Sequence, residues 1–358
     1  MNNLGLYIHI PFCAKKCGYC DFYSVRGTRP IDEYISALTL DLRNTGRQCR
    51  EYTVDTVYVG GGTPSLMSTE NMNSLFSAVH DAFTLSDNCE ITVECNPASS
   101  DVGLASSLKS AGVNRISLGM QSSEDDILSF LGRSHDRRGF ENAYSLFRHA
   151  GFDNISVDIM YGIPGENAQS VKRDALYALS LECEHVSCYL LKVESGTAFS
   201  KRGIVEADGD EAFIQYKTLC DTLGNGGFER YEISNFTRDG RRSRHNMKYW
   251  TCGEYLGFGP AAYSYFGGRR YGNARNISAY IHGENIRTDI EIITEEEKRR
   301  EKIMLGLRLS DGIPEDLLDE SKVSSFKRAG YLTVADGRVS LTTEGFFLSN
   351  LIISEFLD

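Results

Sequence analysis

Three thiols, Cys13, Cys17 and Cys20, stand at C-x-x-x-C-x-x-C spacing directly after the apolar run Tyr7-Ile8-His9-Ile10-Pro11-Phe12. Three is the informative number. A cubane of four irons has four corners, and a purely structural cluster fills them with four cysteines. Three ligands leave one iron open to a small molecule, which is an arrangement for chemistry. The same residues admit plainer readings. Three cysteines within eight residues suit zinc, with His9 as a fourth ligand. A disulfide with a spare thiol is the third option, and no secretory leader supports it.

Composition narrows the field. The chain has 358 residues, enough for one large barrel or two domains with an ample core. Hydrophobic residues make up 41% and charged residues 24%, ordinary globular usage. With 38 Lys and Arg against 49 Asp and Glu, the net charge is −11, which argues against nucleic acid as a partner. No apolar run approaches the roughly 18 residues that a bilayer span needs. Ten cysteines without a leader point to a reducing, cytoplasmic setting with metal or redox use for some of them. Outside the motif they are scattered and read as small core residues.

The elements that must position the thiols alternate β and α. Strands are expected at Leu6–Ile10, Val54–Val59, Glu90–Glu94, Arg115–Leu118, Ile155–Met160 and His185–Leu191. Helices are expected at Ile31–Arg43, Met72–Phe83, Leu104–Ala111, Phe140–Ala150 and Val171–Leu181, from helical spacing of apolar residues. Repeated β-then-α units require a parallel sheet, because parallel strands need crossovers. The Val- and Ile-rich strands suit a sheet covered on both faces. A doubly wound sheet and a barrel-like sheet both satisfy this pattern, and both place sites at the C-terminal strand ends.

The unusual residues fall at those ends. The cysteines follow the first strand, Gly60-Gly61-Gly62-Thr63 the second, and Glu94 closes the third. Gln121 follows the fourth, and Asp158 lies late in the fifth. Taken singly, the glycines describe a tight turn, and the carboxylates describe caps or structural ion pairs. Taken together, they point at one mouth.

Beyond Leu191 the pattern changes. Lys192–Gly209 is irregular, Glu211–Leu223 is helical, and Gly226–Phe236 reads as an extended strand. His245-Asn246-Met247-Lys248-Tyr249-Trp250 follows a basic loop and holds the single tryptophan. Helices over Glu301–Leu309, around Leu317–Leu318 and over Val323–Ala329 precede an Asp336-Gly337 hairpin and a helix at Gly345–Leu357. This last unit resembles a winged helix. The division expected is 1–236 for the core, 237–290 for a connecting segment, and 291–358 for the C-terminal domain.

The three cysteines, Tyr19 before the third of them, and Gly60-Gly61-Gly62-Thr63-Pro64 resemble the radical S-adenosylmethionine superfamily. Glu94-Cys95-Asn96-Pro97 and Gly162-Ile163-Pro164-Gly165 resemble its oxygen-independent coproporphyrinogen III oxidase group. The resemblance implies a partial parallel (β/α)6 barrel with a small C-terminal α/β domain of winged-helix type. It implies a [4Fe-4S] cluster on Cys13, Cys17 and Cys20, with S-adenosylmethionine on the open iron. The cluster would then pass an electron to the sulfonium and cleave a C–S bond. Gly61, Gly62 and Thr63 would meet the methionyl amino end, Glu94 and Asp158 the ribose hydroxyls, and Arg133 the methionyl carboxylate. Gln121 would hydrogen-bond, while Tyr7 and Tyr19 flank the ligand.

Three features depart from the oxidases. Asp21-Phe22 follows Cys20 where the oxidases have glycine and a fourth cysteine. The N-terminal extension that helps hold substrate is missing. And His245–Trp250 fits an H-N-x-x-Y-W motif. These resemble the haem chaperones related to the oxidases. That branch implies haem binding and delivery to haem-accepting proteins, a reductant such as flavodoxin or ferredoxin, a homodimer, and peripheral contact with the inner membrane surface. Radical decarboxylation of coproporphyrinogen III is the alternative, and enzyme activity stays open. His245 is the expected haem ligand, with Tyr249 and Trp250 beside the ring and Arg241, Arg242 and Arg244 at the propionates. From the residues alone, the same stretch is better described as a helix start that packs one tryptophan into the core, with the arginines in solvent.

Overall fold

Strand order in space follows strand order in the chain. A computed structural model describes residues 2–357. In it β1 (Asn2–Ile10), β2 (Tyr52–Gly61), β3 (Leu85–Cys95), β4 (Arg115–Gln121), β5 (Ile155–Tyr161) and β6 (His185–Leu190) lie side by side, each parallel to the next. A doubly wound sheet reverses its order at a switch point. No reversal occurs here, so the barrel-like architecture is the one that forms. The crossover helices cover Ile31–Gly46, Thr69–Ala82, Val102–Ser110, Arg137–His149 and Ala168–Ser180. Ser68, Asp101, Asp136 and Asn167 start four of them by accepting from orphan backbone amides.

The strands do not carry two apolar faces. Leu4, Leu6, Ile8, Val57, Val59, Ile116, Leu118, Val157 and Ile159 are buried, with no more than 1% exposure, on the face toward the helices. Each such side chain contributes roughly 1.5–3 kcal/mol. The alternate positions carry Tyr7, His9, Tyr58, Glu94, Arg115, Ser117, Asp158 and His185, and pleating turns these toward the barrel interior. The sheet is thus covered on both faces, with an apolar outer layer and a polar inner one.

The segment 237–290 does more than connect. Tyr255–Phe258 pairs parallel with the free edge of β1, and an antiparallel series of Tyr263–Phe266, Arg269–Asn273 and Arg287–Ile292 continues the sheet. On the other edge Asn235–Thr237 pairs antiparallel with β6. The strand expected over Gly226–Phe236 is instead two short strands, Glu229–Arg230 and Asn235–Thr237, doubled back on each other. The C-terminal unit holds helices Glu295–Gly306 and Glu320–Arg328 and the hairpin Leu332–Ala335 with Arg338–Leu341. Asp336 and Gly337 both adopt positive φ, as a tight hairpin turn requires. The final helix is interrupted at Leu348 into Thr343–Phe347 and Ser349–Leu357.

The helix Arg244–Trp250 is tied to the strands. The Glu90 carboxylate on β3 accepts from the amides of Arg244 and His245, each at 3.0 Å. Lys248 reaches Asp55 on β2 at 2.7 Å, with both side chains largely buried. Glu90→Ala would orphan two helix-start amides. The expected loss is on the order of 1–3 kcal/mol, seen as a lower urea midpoint. An unchanged midpoint would mean that the helix is held by packing alone.

Candidate functional site

The C-terminal strand ends and the loops after them open into one cavity of about 660 Å³. Cys13, Cys17, Tyr19, Cys20, Gly61, Gly62, Thr63, Glu94, Gln121, Arg133 and Asp158 all line it. Eleven of the thirteen expected site residues are therefore gathered in one place. Tyr7 and His245 are the other two.

The cysteine loop is shaped by backbone pairing. Phe12–Cys13 runs beside Val25–Arg26, which closes the loop carrying Cys17 and Cys20. Gly18 donates to the Leu131 carbonyl at 3.1 Å, and a Cβ at this position would fall 2.2 Å from the Phe199 ring. Only glycine fits there. Thr63 Oγ1 lies 3.4 Å from Cys13 Sγ, and Arg133 Nη1 lies 3.8 Å from Cys17 Sγ. Both are donors suited to an anionic sulfur. Burial pushes the Cys20 thiol up, and the neighbouring Cys17 and Cys13 sulfurs add to that. A positive iron centre would reverse this repulsion.

His9 is not placed to complete a zinc site. Its Nε2 lies 2.8 Å from the Tyr23 carbonyl, which can only accept, so Nε2 carries the proton. Nδ1 then accepts from the Tyr7 hydroxyl at 3.0 Å. Both nitrogens are engaged, and burial holds the ring neutral. Among the described residues, no three His, Cys, Asp or Glu side chains converge as a single ion requires. Three thiols around an open cavity, with a cation and a hydroxyl beside them, are a donor set that fits a cluster with a free corner. Tyr7 thus acts behind the cavity wall by orienting His9.

The glycines give close access. Gly61 has φ of +108°, and a Cβ there would fall 2.4 Å from the His9 ring. At Gly62 a Cβ would meet the Ile10 and Phe12 carbonyls at 2.7 Å. The Gly61 amide donates to Glu94 Oε2 at 3.0 Å, and the Tyr58 hydroxyl to Oε1 at 2.8 Å. Asp158 accepts from Ser117 Oγ, at 3.3 and 3.4 Å, and from the Ser187 side chain. Burial, then the charge of Glu94, pushes Asp158 up to about 7, while Arg115 draws it back. Gln121 holds φ of 70°, uncommon for a side chain of its type. Arg133 Nη2 donates to the Gly119 carbonyl at 3.0 Å, and its Nε is buried with no partner. A ligand carboxylate would satisfy that orphan.

Arg115 and Tyr58 went unread in the sequence. The available signal was parity: Arg115 shares a face with Ser117 and Gly119, so it had to point inward.

His245 is corrected. It is fully buried, away from the cysteines, with Nδ1 2.9 Å from Thr56 Oγ1 and Nε2 2.8 Å from the Tyr249 hydroxyl. Burial pushes it down to about 3, and neither nitrogen is open to iron. The arginines are also engaged elsewhere. Arg242 pairs with Asp311 at 2.5 and 3.1 Å, Arg244 bonds the Asn88 carbonyl at 2.5 Å, and Arg241 lies 4.0 Å from Asp153. Tyr249 and Trp250 instead line a second cavity.

Residues 7–178 match the family described as the radical SAM superfamily, and residues 293–348 match the HemN C-terminal domain. The chain aligns with the solved coproporphyrinogen III oxidase (HemN) of Escherichia coli at a TM-score of 0.86. That alignment covers 99% of this chain and 90% of the other at 19% identity, so it speaks for the fold. Fold, cysteine loop and glycine-lined cavity are those of a radical S-adenosylmethionine protein. Proteins named heme chaperone HemW are 35% identical in Bacillus subtilis (98% of each chain) and 33% in Mycobacterium tuberculosis (99% of this chain, 94% of the other). The Escherichia coli protein of that name is 31% identical, over 99% of this chain and 98% of its own. The chain belongs to the HemW family of the radical SAM superfamily.

The raised Asp158 has a consequence for stability. The folded state keeps this proton longer than the unfolded chain, whose ordinary value is 3.8. The resulting stabilisation is complete below that value and disappears as pH rises through about 7. The ligand-free Asp158→Asn protein should therefore lose less thermal stability between about pH 5 and about pH 8 than its parent. Equal losses would mean that the carboxyl is not held neutral.

Proposed function

We propose that this protein binds haem and delivers it to haem-accepting proteins, and that it carries a [4Fe-4S] cluster and S-adenosylmethionine. The observation that carries this reading is its full-length relation to proteins named heme chaperone HemW. Cys13, Cys17 and Cys20 would hold three irons, and the cavity in front of them leaves the fourth corner open. When bound and reduced, the cluster supplies the electron that cleaves S-adenosylmethionine. A small electron carrier such as flavodoxin or ferredoxin is the reductant this calls for, in the cytoplasm.

The chain's own residues bind and orient. Gly61 and Gly62 let the methionyl end approach the backbone. Thr63 and Arg133 flank the sulfurs, and the unpartnered Arg133 Nε would serve the methionyl carboxylate. Glu94 is held by Tyr58 and Gly61, and Asp158, held by Ser117 and Ser187, would accept from ribose hydroxyls. Gln121 and Tyr19 close the wall.

The deciding experiment is anaerobic reconstitution with iron and sulfide. Incubations follow with haem and with coproporphyrinogen III, each with S-adenosylmethionine and reductant. Stable haem binding without decarboxylation is expected. Formation of protoporphyrinogen would overturn the reading in favour of the oxidase. Cys17→Ala should abolish the cluster's visible absorption, and full iron content in that variant would reassign the ligands. Arg133→Met should keep the cluster and weaken S-adenosylmethionine binding by about 10- to 100-fold, the value of a charge-assisted hydrogen bond of roughly 1.5–3 kcal/mol.

A further inference from the structure

The second cavity measures about 640 Å³, within the range of roughly 300–1,000 Å³ usual for cofactor pockets. The helix Arg244–Trp250, the hairpin around Glu232–Asn235, the antiparallel strands and the helix Glu295–Gly306 enclose it. Its walls are aromatic. Tyr249, Trp250, Tyr255 and Tyr265 line it, and Met304 adds a flexible thioether. Tyr249 and Tyr255 meet edge to face at 4.6 Å. Such a surface suits a flat, apolar ring system.

Two guanidiniums, Arg270 and Arg308, and two carboxylates, Glu232 and Glu301, line this cavity, and only one pair of them is joined. Arg270 and Glu301 neutralise each other in a two-pronged pair at 2.5 and 2.8 Å. Arg308 has no such partner among the described residues. It donates to the Asn350 side-chain Oδ1 at 2.8 Å, and burial lowers its pKa. Glu232 is fully buried and faces the same space. Its Oε2 accepts from the Ser234 amide at 3.0 Å, while Oε1 has no hydrogen-bond partner. Burial pushes this carboxyl up to about 7, and hydrogen bonds from Ser234, Asn235 and Ile233 draw it back, so near neutrality it is about half protonated. A half-buried guanidinium without an anion carries an uncompensated desolvation cost, which a ligand carboxylate relieves with a paired, charge-assisted bond.

We propose that this cavity holds a planar aromatic ligand bearing carboxylates, and that Arg308 anchors one of them. With the haem reading above, on which this rests, the ligand is haem, held by a propionate at Arg308. The ring lies against Tyr249 and Trp250. His245 fixes the Tyr249 hydroxyl from behind and does not meet the iron.

The test titrates the full-length protein with haem and with haem dimethyl ester, which lacks the propionate charges. The readouts are the Soret band and the emission of Trp250, the single tryptophan. Arg308→Met is expected to weaken haem by about tenfold or more and to leave the ester unchanged, with Arg308→Lys intermediate. Met304→Trp, which fills the cavity and is read by the Soret band alone because it adds a second tryptophan, is expected to weaken both ligands; it carries the test if Arg308→Met fails to fold. Parent protein that binds haem while Arg308→Met or Met304→Trp binds it equally well would overturn the site and leave the haem reading standing. Absence of any Soret shift in the parent protein would overturn the haem reading, and the site with it.

Discussion

The molecule depends on a polar barrel interior enclosed by an apolar shell. Alternate residues of six parallel strands turn outward to the helices and supply the burial that stabilises the fold. The inward set would be destabilising unless its polar groups found partners. Most do. Ser156 Oγ lies 2.7 Å from His185 Nδ1, and His185 Nε2 lies 2.8 Å from the Tyr231 hydroxyl. Thr56, His245 and Tyr249 form a second such chain, and Tyr58 and Gly61 hold Glu94. Among the groups left unsatisfied, Thr92 Oγ1 and Arg115 Nε lie within the barrel, whereas Arg133 Nε belongs to a residue lining one cavity and Glu232 Oε1 and Asn235 Oδ1 to residues lining another.

This organisation explains why two cavities coexist without sharing the same chemistry. The first sits at the C-terminal strand ends, where parallel pairing stops and loops are free to carry Cys13, Cys17 and Cys20. It is lined by backbone, carboxylates and cations. The second is walled by rings and depends on the C-terminal unit for Met304 and Arg308. Tyr189 lines both, so the two spaces meet at one side chain. His245 stands on neither surface. Its ring lies 5.3 Å from that of Tyr58, and this stack joins the interior network of one cavity to the aromatic wall of the other.

In the histidine motif the aromatic residues face a cavity and the imidazole does not. The six residues from His245 to Trp250 do mark a special element. The seven-residue helix that carries them places Asn246, Tyr249 and Trp250 on the cavity and His245 on the buried side. Positions one and five of the motif are a helical turn apart and bond each other, so the imidazole is used internally. The adjacent arginines are likewise taken by Asp311 and Asn88, partners far away in the chain.

Much was legible in the chain alone, because local chemistry sufficed. Cysteine spacing, the glycine run after the second strand, the β-then-α alternation and the Asp336-Gly337 turn each follow from short-range rules of ligation, sterics and periodicity. They placed eleven of the thirteen expected site residues on one cavity. The sequence also determined which side chains face inward, although Arg115 shows that this parity is easily passed over. Tertiary structure alone decided the rest. The strand order that selects a barrel, the recruitment of Tyr255–Phe258 beside β1, the doubling back at Glu229–Thr237 and the engagement of both His245 nitrogens all depend on residues far apart in the chain. Asn350 beside Arg308 and Thr56 beside His245 are set by packing across the sheet. A hydrogen-bond partner 189 residues away leaves no trace in local spacing, so only the folded chain shows which polar groups are satisfied and which are left for a ligand.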